Sequence, residues 1–392
     1  MKWETLPLAS LGTVQTGSTP STTEARFWEG GVPFVTPSEL DQRFPITLTP
    51  RTLTEDGSRE GRILQEGAVM VCCIGSLGKI GIAGRALVTN QQINSIEFDT
   101  KRIYPKYGYY ACQRLKPKLI SMAPATTVPI VNKSKFGQLE IPVPPLPEQI
   151  RIAAILDQAD ALRVKRREAL AQLDNLTQAI FIEMFGDPVT DPKGWGKMTV
   201  SKLLEKAAVF VDGDWVESKD QDPEGEVRLV QLADIGDGRY INKSGRFLNK
   251  PTATRLKCTV LKLGDILIAR MPDPLGRACL FPGDVKECVT VVDVCIIRTG
   301  ENGPDPTWLM SCINSRSFRS VIAGEATGAT RVRISRGNLS RLKIIAPPIE
   351  LQREFSKRIS VVERLKKSHS ASLTELDNLF ASLQHRAFRG EL

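Results

Sequence analysis

The sequence predicts a mixed α/β (α+β) protein in which one module, a sheet-rich globular unit followed by a long helix, occurs twice. Three observations predict it: short apolar runs separated by Gly and Pro, two long helical segments that begin after proline pairs, and an internal repeat. The 392 residues exceed what one hydrophobic core usually serves. We therefore expect four segments, with globular units at 1–143 and 188–346 and helices at 144–187 and 347–392.

The internal repeat is clearest where the helices begin. PPLPEQ at 144–149 recurs as PPIELQ at 347–352, and LDNL at 173–176 recurs at 376–379 without a gap. A period of about 200 residues is far longer than that of a solenoid repeat. It indicates duplication of a whole domain with its helix, so the two halves should be related by an approximate two-fold axis.

Within each globular unit the apolar runs are short and rich in β-branched residues. They include GVPFVTP, AVMVCCIG and INSIEF in the first unit, and VRLVQL, DILIAR and VTVVDVCIIR in the second. Such runs, bounded by turn residues, are typical of strands. The segments 107–122 and 306–322 are the helix candidates of the two units.

The long helices begin where prolines stop the extended chain. Proline disfavours the helical conformation in the residue before it, so each proline pair holds the chain extended until the helix starts. Apolar residues then recur at steps of three and four, which predicts an antiparallel coiled coil of two helices about 50 Å long. Basic residues at 163–167 and 364–367 should meet near the middle, where they would repel each other unless solvent or a partner covers them. The expected coiled-coil and partner-docking residues are Ile155, Leu162, Leu173, Leu176, Ile180, Ile359, Val362, Leu376, Phe380 and Leu383.

Composition and motifs argue against a metal site, a membrane segment and catalysis. Eight cysteines lack C-x-x-C spacing and the two histidines lie in a predicted long helix, so buried thiols in a reducing compartment are expected rather than zinc. Neither a signal peptide near Met1 nor a long apolar run is present, which predicts a cytoplasmic protein. There is no P-loop, dinucleotide fingerprint, nucleophile elbow or H-E-x-x-H motif. We expect no catalytic residues in this chain.

The net charge of +9 is compatible with binding to nucleic acid. Arginines 331, 333 and 336 lie near a predicted strand, where guanidinium groups could reach phosphates or guanine edges, and the amides of NQQ at 90–92 could contact adenine. The alternative for each is ordinary: amides cap turns, and arginines are surface charges. The candidate DNA-binding residues are Lys79, Asn90, Gln91, Gln92, Thr126, Thr127, Lys133, Lys135, Arg270, Arg277, Thr330, Arg331, Arg333 and Arg336.

These segments resemble a known family. IPVPPLPEQIRIAAILDQADALRVKRREALAQLDNLTQAIFIEMFGDP at 141–188, its weaker copy APPIELQREF, LTELDNLF and AFRGEL, and the opening WETLPLASLGTVQTGSTPS are similar to specificity subunits of type I restriction-modification systems. The resemblance spans the whole chain. It implies two target-recognition domains, each recognising one half of a bipartite, asymmetric DNA site, joined by antiparallel spacer helices that dock two modification subunits.

The resemblance also assigns the chemistry to other chains. It implies that adenine methylation with S-adenosylmethionine and ATP- and Mg²⁺-dependent restriction belong to partner subunits, so that this chain binds no cofactor itself. Because the methylated adenine must leave the duplex, this chain would hold the DNA while a partner flips the base.

The second copy departs from the first in two places. VVD at 291–293 stands where the first copy has NQQ at 90–92, so the two domains should recognise different half-sites. Glu350-Leu351 replaces Pro147-Glu148, which puts equal docking of partners by both helices in doubt. Two other functions stay open at this point: an interaction scaffold whose globular units bind proteins, and a stand-alone methyltransferase, for which the sequence offers no binding motif.

Overall fold

The computed structural model describes residues 3–42, 45–123, 128–272, 274–328 and 332–392. Internal contacts divide the chain into two compact units: unit 1 comprises residues 1–167 and 370–392, and unit 2 comprises residues 168–369. Each unit therefore contains part of both long helices. The four segments predicted from the sequence divide the chain by repeat instead, and their boundaries stay a prediction.

Unit 1 begins with short strands and helices that lead to the first long helix. Its elements are β1 (Thr5–Pro7), α1 (Leu8–Leu11), β2 (Gly12–Thr16), β3 (Trp28–Val35), β4 (Thr52–Leu53), α2 (Glu55–Glu60), β5 (Ile63–Leu64), β6 (Val69–Cys72), β7 (Ile80–Ile82), β8 (Leu87–Thr89), β9 (Ile93–Phe98), α3 (Pro105–Gln113), α4 (Lys116–Met122), α5 (Lys133–Gly137), β10 (Glu140–Pro142) and α6 (Leu146–Phe185).

The central sheet of unit 1 has the strand order β2-β9-β6-β7, and all of its pairs are antiparallel. A second sheet, β4-β3-β8-β5, contains the parallel pair β3 and β8, and β1 pairs with β10. Along β6, Val69 and Val71 face a core shared with α3 and the start of α6, whereas Met70 and Cys72 face a second core. Both faces of this strand are buried, which explains its uninterrupted apolar sequence.

Unit 2 repeats this series and ends in the second long helix. Its elements are β11 (Lys197–Thr199), α7 (Val200–Leu203), β12 (Val209–Asp212), β13 (Val227–Val230), β14 (Phe247–Leu248), α8 (Lys250–Arg255), β15 (Ile266–Ala269), β16 (Ala278–Leu280), β17 (Cys288–Thr290), β18 (Val294–Arg298), α9 (Pro306–Asn314), α10 (Arg316–Gly324), α11 (Arg336–Arg341), β19 (Lys343–Ile345) and α12 (Ile349–Ala387).

The central sheet of unit 2 matches that of unit 1 in strand order, whereas its second sheet has three strands instead of four. The central sheet has the order β12-β18-β15-β16, the second sheet β14-β13-β17 contains the parallel pair β13 and β17, and β11 pairs with β19. On β15, Ile266 and Ile268 face one core while Leu267 and Ala269 face the other, as on β6. The mixed α/β class, the duplication and the two long helices are thus confirmed.

A buried glutamine side chain holds the start of α6. Gln149 is fully buried; its Nε2 donates to the carbonyls of Arg102 and Pro144 at 2.8 Å each, and its Oε1 accepts from the backbone N–H of Tyr104 at 2.8 Å. Proline 144 cannot donate a backbone hydrogen bond, and the amide satisfies its carbonyl next to the helix end. The glutamine therefore joins the proline segment, the first turn of α6 and the loop before α3.

The equivalent glutamine does the same at the start of α12. Gln352 is 4% exposed; its Nε2 donates to the carbonyl of Pro347 at 2.8 Å, and its Oε1 accepts from the N–H of Asp305 at 2.9 Å. Asp305 in turn caps α9 by accepting from Thr307 and Trp308. Each proline pair is thus followed by a buried glutamine that bonds a proline carbonyl and a backbone N–H of the preceding loop.

The long helices pair antiparallel within each unit. In unit 1 Arg151, near the start of α6, donates to the carbonyl of Leu392, and Arg163 donates to Asp377 at 2.6 Å. In unit 2 Lys366 lies 2.9 Å from Asp174, and the Phe181 ring packs on Phe355 at 5.6 Å. The antiparallel pairing predicted from the sequence is confirmed in both units.

Each unit's core also contains the far end of the helix that began in the other unit. Phe388, near the end of the chain, packs against Tyr107 of unit 1 with ring centroids 5.2 Å apart. Phe185, the last residue of α6, packs against Trp308 of unit 2 at 6.2 Å. The core of each unit is therefore completed by a helix end that arrives from the other.

Basic residues near the middle of each long helix are paired with acidic residues of the same unit. Arg163 pairs with Asp160 at 2.7 Å as well as with Asp377, and Lys366 pairs with Glu363 at 2.8 Å as well as with Asp174. Burial alone would lower the pKa of Lys366, but its hydrogen bonds to these carboxylates raise that pKa overall. The charges are satisfied within the helix pair.

Burial of the predicted seam residues differs between the two helices. Ile359, Val362 and Phe380 are buried, but Leu162 and Leu176 are 52% and 43% exposed. On α6 the half-buried positions belong to the next residues along the chain, Arg163 and Thr177. Periodicity of apolar residues missed this because the guanidinium group of Arg163 lies over the Phe380 ring, 4.3 Å from its centroid, so a charged residue covers the seam.

The remaining docking candidates are spread over the helix pair. Ile155, Leu173, Ile180, Leu376 and Leu383 are half-buried. Whether any of them contacts a partner chain stays a prediction.

We expect Gln352→Ala to lower the free energy of unfolding by about 2–4 kcal/mol, because it leaves a buried N–H and a buried carbonyl without partners and removes packing. Denaturant unfolding followed by circular dichroism measures this. Gln158→Ala is the matched control, since Gln158 is exposed on α6 and alanine favours helix. Equal stability of the two variants would contradict the structural role of the buried amide.

Candidate nucleic-acid interface

Exposed cations lie at the start of a short helix in unit 1. Asn132 caps α5 by accepting a hydrogen bond from the backbone N–H of Lys135 at 2.9 Å, and Phe136 is buried in the core. The cap and the buried ring hold this helix, and its residues Lys133 and Lys135 are exposed. Lysines in this position can contact phosphates.

Unit 2 presents arginines at the equivalent place. Ser335 caps α11 by accepting from the N–H of Asn338 at 3.0 Å, and Arg336 is the first residue of that helix. The backbone of Arg333 is held by two hydrogen bonds of 2.9 Å with Thr327, and its side chain is exposed. Arg336 is half-exposed, 3.6 Å from Asp212, and donates to the carbonyl of Phe210 at 3.2 Å.

The amides at 90–92 mainly stabilise their own turn. Asn90 is 8% exposed; its Oδ1 accepts from the N–H of Gln92 at 3.1 Å, and its Nδ2 donates to Gln92 Oε1 at 2.9 Å. Gln91 is exposed and accepts from the Thr19 hydroxyl at 2.6 Å. Of the three amides, Gln91 is the exposed one, and its contact with DNA stays a prediction.

Two arginine candidates are buried. Arg270 is 4% exposed and Arg277 is 7% exposed. Arg277 donates to the carbonyls of Ile235 at 2.6 Å, Leu232 at 2.8 Å and Pro274 at 2.9 Å, which joins two loops to β16. This placement favours a structural task for both arginines, and their direct contact with DNA stays a prediction.

The other candidates divide between one half-buried lysine and residues that lie outside the described part of the chain. Lys79 is half-buried and donates to the carbonyl of Pro37 at 3.3 Å. Outside the described residues are Thr126, Thr127, Thr330 and Arg331.

Sequence reasoning missed polar residues that support these segments from within the sheet. Asn94 of β9 is 3% exposed, and its Nδ2 donates to the carbonyl of Val131 at 3.2 Å. Its Oδ1 accepts from the hydroxyl of Thr16 at 2.7 Å. In unit 2 Asp212, the last residue of β12, pairs with both Arg270 and Arg336. The sequence signal that could have identified them is a polar residue within an apolar strand, such as the asparagine of INSIEF.

A family model described as "Type I restriction modification DNA specificity domain" matches residues 1–173. The matched residues cover unit 1 up to the middle of α6, including Lys133, Lys135 and Gln149. Residues 1–173 are thus similar to the DNA specificity domains of type I restriction-modification systems. The resemblance drawn from the proline and helix motifs is thereby confirmed.

Relatives extend the similarity beyond this specificity domain. The chain is 26% identical over 385 residues to the type I restriction enzyme MjaIX specificity subunit of Methanocaldococcus jannaschii, covering 90% of this chain and 85% of the relative. It is 20% identical over 330 residues to the EcoBI specificity subunit of Escherichia coli, covering 77% and 69% of the two chains. Both alignments run past the first unit into the second.

Solved structures share the fold of the whole chain. A chain from a structure described as the basis of complex assembly and conformational transition of the type I R-M system matches with a TM-score of 0.60 at 19% identity, covering 100% of this chain and 98% of that one. The type I restriction-modification S subunit from M. genitalium matches with a TM-score of 0.56 at 16% identity, covering 99% and 96%. At this identity the likeness supports the two-unit fold alone.

The described part of the chain offers no metal site. No three His, Cys, Asp or Glu side chains cluster there so as to hold a metal ion. Among the described helices, none combines the length and hydropathy that crossing a membrane requires. All eight cysteines are free, and all except the half-buried Cys258 are buried.

We expect iodoacetamide at neutral pH to label Cys258 before any other cysteine. The thiolate is the reactive form, and burial raises the pKa of Cys258 to about 11 and those of Cys279 and Cys295 to about 12. Mass spectrometry of a labelling time course measures the order, with the denatured chain as the control in which all eight thiols react. Labelling of Cys295 as fast as Cys258 would contradict the described burial.

Proposed function

We propose that this chain selects the DNA sequence on which a type I restriction-modification complex acts, with each unit recognising one half of a two-part, asymmetric site. Its partners are DNA and the other subunits of that complex, because the relatives are named specificity subunits of restriction enzymes. It is not the catalytic chain, since those relatives carry the specificity role and not the enzyme chemistry.

The observation that carries the proposal is a duplicated scaffold with unlike surfaces. The two units share the strand order of the central sheet and the capped helices α5 and α11, but one presents lysines and the other arginines. Their turns differ too, with NQQ at 90–92 against VVD at 291–293. Equal frameworks with different contact residues suit the recognition of two different sequences by one protein.

The finer assignments follow from this role. We place two modification subunits on the paired helices, and assign S-adenosylmethionine, ATP and Mg²⁺ to the partner subunits rather than to this chain. The helix pair would set the distance between the two recognised halves, because both helices contribute to both units. We place the complex in the cytoplasm, where its DNA substrate lies.

Methylation mapping tests the proposal directly. The full chain is produced with the modification subunits encoded beside it, and methylated adenines are mapped on DNA that lacks other methylation. We expect one asymmetric site made of two defined halves separated by an undefined gap. Methylation that does not depend on this chain, or a single uninterrupted site, would contradict the proposal.

We expect insertion of seven residues after Arg167 in α6, together with seven after His369 in α12, to widen that gap by about three base pairs. Two helical turns add about 10 Å and preserve the buried stripe, and one base pair rises about 3.4 Å. Methylation mapping of the variant measures the gap, and the two half-sites are the internal control. Altered half-sites with an unaltered gap would exclude the helices as the spacing element.

We expect Arg333→Ala with Arg336→Ala to weaken DNA binding and to reduce the slope of log affinity against log salt by about 2, one unit for each phosphate contact removed. Fluorescence anisotropy of the assembled complex over a salt series measures the slope. The matched control is Lys202→Ala, because Lys202 is an exposed cation of the same unit that pairs with Glu205 at 2.6 Å. An unchanged slope would remove these arginines from the interface.

A further inference from the structure

The segments that carry the exposed cations are joined to the two central sheets by the same backbone hydrogen bonds. In unit 1 the N–H of Val131 donates to the carbonyl of Cys73 at 2.9 Å, just past the end of β6. In unit 2 the N–H of Ile334 donates to the carbonyl of Arg270 at 3.1 Å, just past the end of β15. Cys73 and Arg270 are therefore equivalent positions, as are Val131 and Ile334.

In unit 1 a buried amide holds the carbonyl of this segment. Asn94 donates to the Val131 carbonyl and accepts from Thr16, as described above, and Thr16 faces Asn94 across β2 and β9. Cys73 is 1% exposed and fills the neighbouring position with a small apolar side chain. The Val131 carbonyl lies directly before Asn132, which caps α5.

In unit 2 the same carbonyl is held from a different position. Arg270 donates from its guanidinium group to the Ile334 carbonyl at 3.4 Å, and its Nε lies 3.4 Å from Asp212. Asp212 faces Cys295 across β12 and β18, where unit 1 has Thr16 and Asn94. The donor is Asn94 in unit 1 and Arg270 in unit 2, and a cysteine occupies the equivalent of each donor's position in the other unit. The carbonyl that accepts the bond belongs to equivalent residues in both units.

Arg270 also performs a second task. It donates to the carbonyl of Val292, in the turn at 291–293 that corresponds to the Asn90 turn of unit 1. In unit 1 two amides make the corresponding contacts. Asn94 bonds the carbonyl of Val131, and Asn90 bonds Gln92 within the turn. One guanidinium group with its several donors replaces both.

We propose that Arg270 with Asp212 in unit 2, and Asn94 with Thr16 in unit 1, are positioning residues for DNA specificity. They fix the segments 332–341 and 128–136, which present the cations, without touching DNA themselves. The inference rests on the proposed function and adds to it the residues that decide how sharply each half-site is discriminated. Base contacts depend on side chains held to about half an ångström, so the support beneath a contact segment governs selectivity.

The charges in unit 2 give a reason why Arg270 affects its neighbour. Asp212 is paired with the buried Arg270 on one side and with the half-exposed Arg336 on the other. Without Arg270, Arg336 would be drawn towards the unneutralised carboxylate and away from a phosphate or base. Loss of the buried arginine thus acts on a residue that faces solvent.

The test uses the complete complex and duplexes that carry the site found by methylation mapping, with either half randomised. We expect R270C, which installs the residue of unit 1, to lower discrimination at one half-site by about tenfold, the loss expected for one buried hydrogen-bonded group. The other half-site should be discriminated as by the unaltered chain. The matched variant N94C, which installs the residue of unit 2, should give the opposite pattern.

A variant of unit 2 that carries the equivalent residues of unit 1, here called the transplant, distinguishes a positioning role from a role in general stability. The variant D212T/R270C/V291N/C295N places threonine and the two asparagines where unit 1 has them. We expect it to restore discrimination at the half-site that R270C impairs, to within about threefold of the unaltered chain. A residue needed only for general stability would not be replaced by a different set of side chains at other positions.

Three results would overturn the positioning role while leaving the proposed function intact: R270C discriminates both half-sites normally, R270C affects both halves equally, or the folded transplant fails to restore discrimination. If R270C alone does not assemble, the transplant and N94C still decide the matter. A complex whose unaltered chain shows no sequence preference would instead refute the proposed function itself.

Discussion

The whole arrangement depends on an amide buried behind each proline pair. Gln149 and Gln352 join the carbonyl of a proline, the first turn of a long helix and the loop before a helix of the globular core. Since a buried polar group without a partner is costly, these bonds leave little freedom in the direction of helix departure. The prolines prevent an earlier helix start, and the glutamine sets where the helix begins.

Beyond these starting points the helix pair contains ion pairs as well as apolar contacts. Arg163 lies between two aspartates and over an aromatic ring, and Lys366 between two carboxylates. Ion pairs in the seam between two helices restrict the register more than apolar contacts do. A shift of one helix along the other would separate each charge from its partner. The antiparallel register is therefore specified by particular ion pairs.

The repeat and the long helices could be predicted from the spacing of residues along the sequence. Identical motifs recur at a fixed distance, and apolar residues recur at helical intervals. The DNA-binding residues were harder to predict. The sequence does not show whether a polar side chain faces water or bonds a buried carbonyl. Asn90 and Arg270 looked like contacts for bases and are held by their own protein, whereas Asn94 and Asp212 were overlooked within apolar strands. Only the packing of separate segments distinguishes these cases. Leu162 is likewise exposed although its spacing is that of a seam residue, and the half-buried position beside it belongs to Arg163.

The aromatic contact between Phe388 and Tyr107 has a consequence for synthesis of the chain. The core of unit 1 is closed by residues that are translated after the whole of residues 168–369, which form unit 2. At about 5–20 residues per second, the remaining chain after Phe185 takes on the order of ten seconds or more to emerge, during which that core stays open at one side. The nascent chain would thus expose apolar surface of unit 1 until Phe388 is translated, and a message cut short before Phe388 would leave the core of unit 1 incomplete rather than that of unit 2.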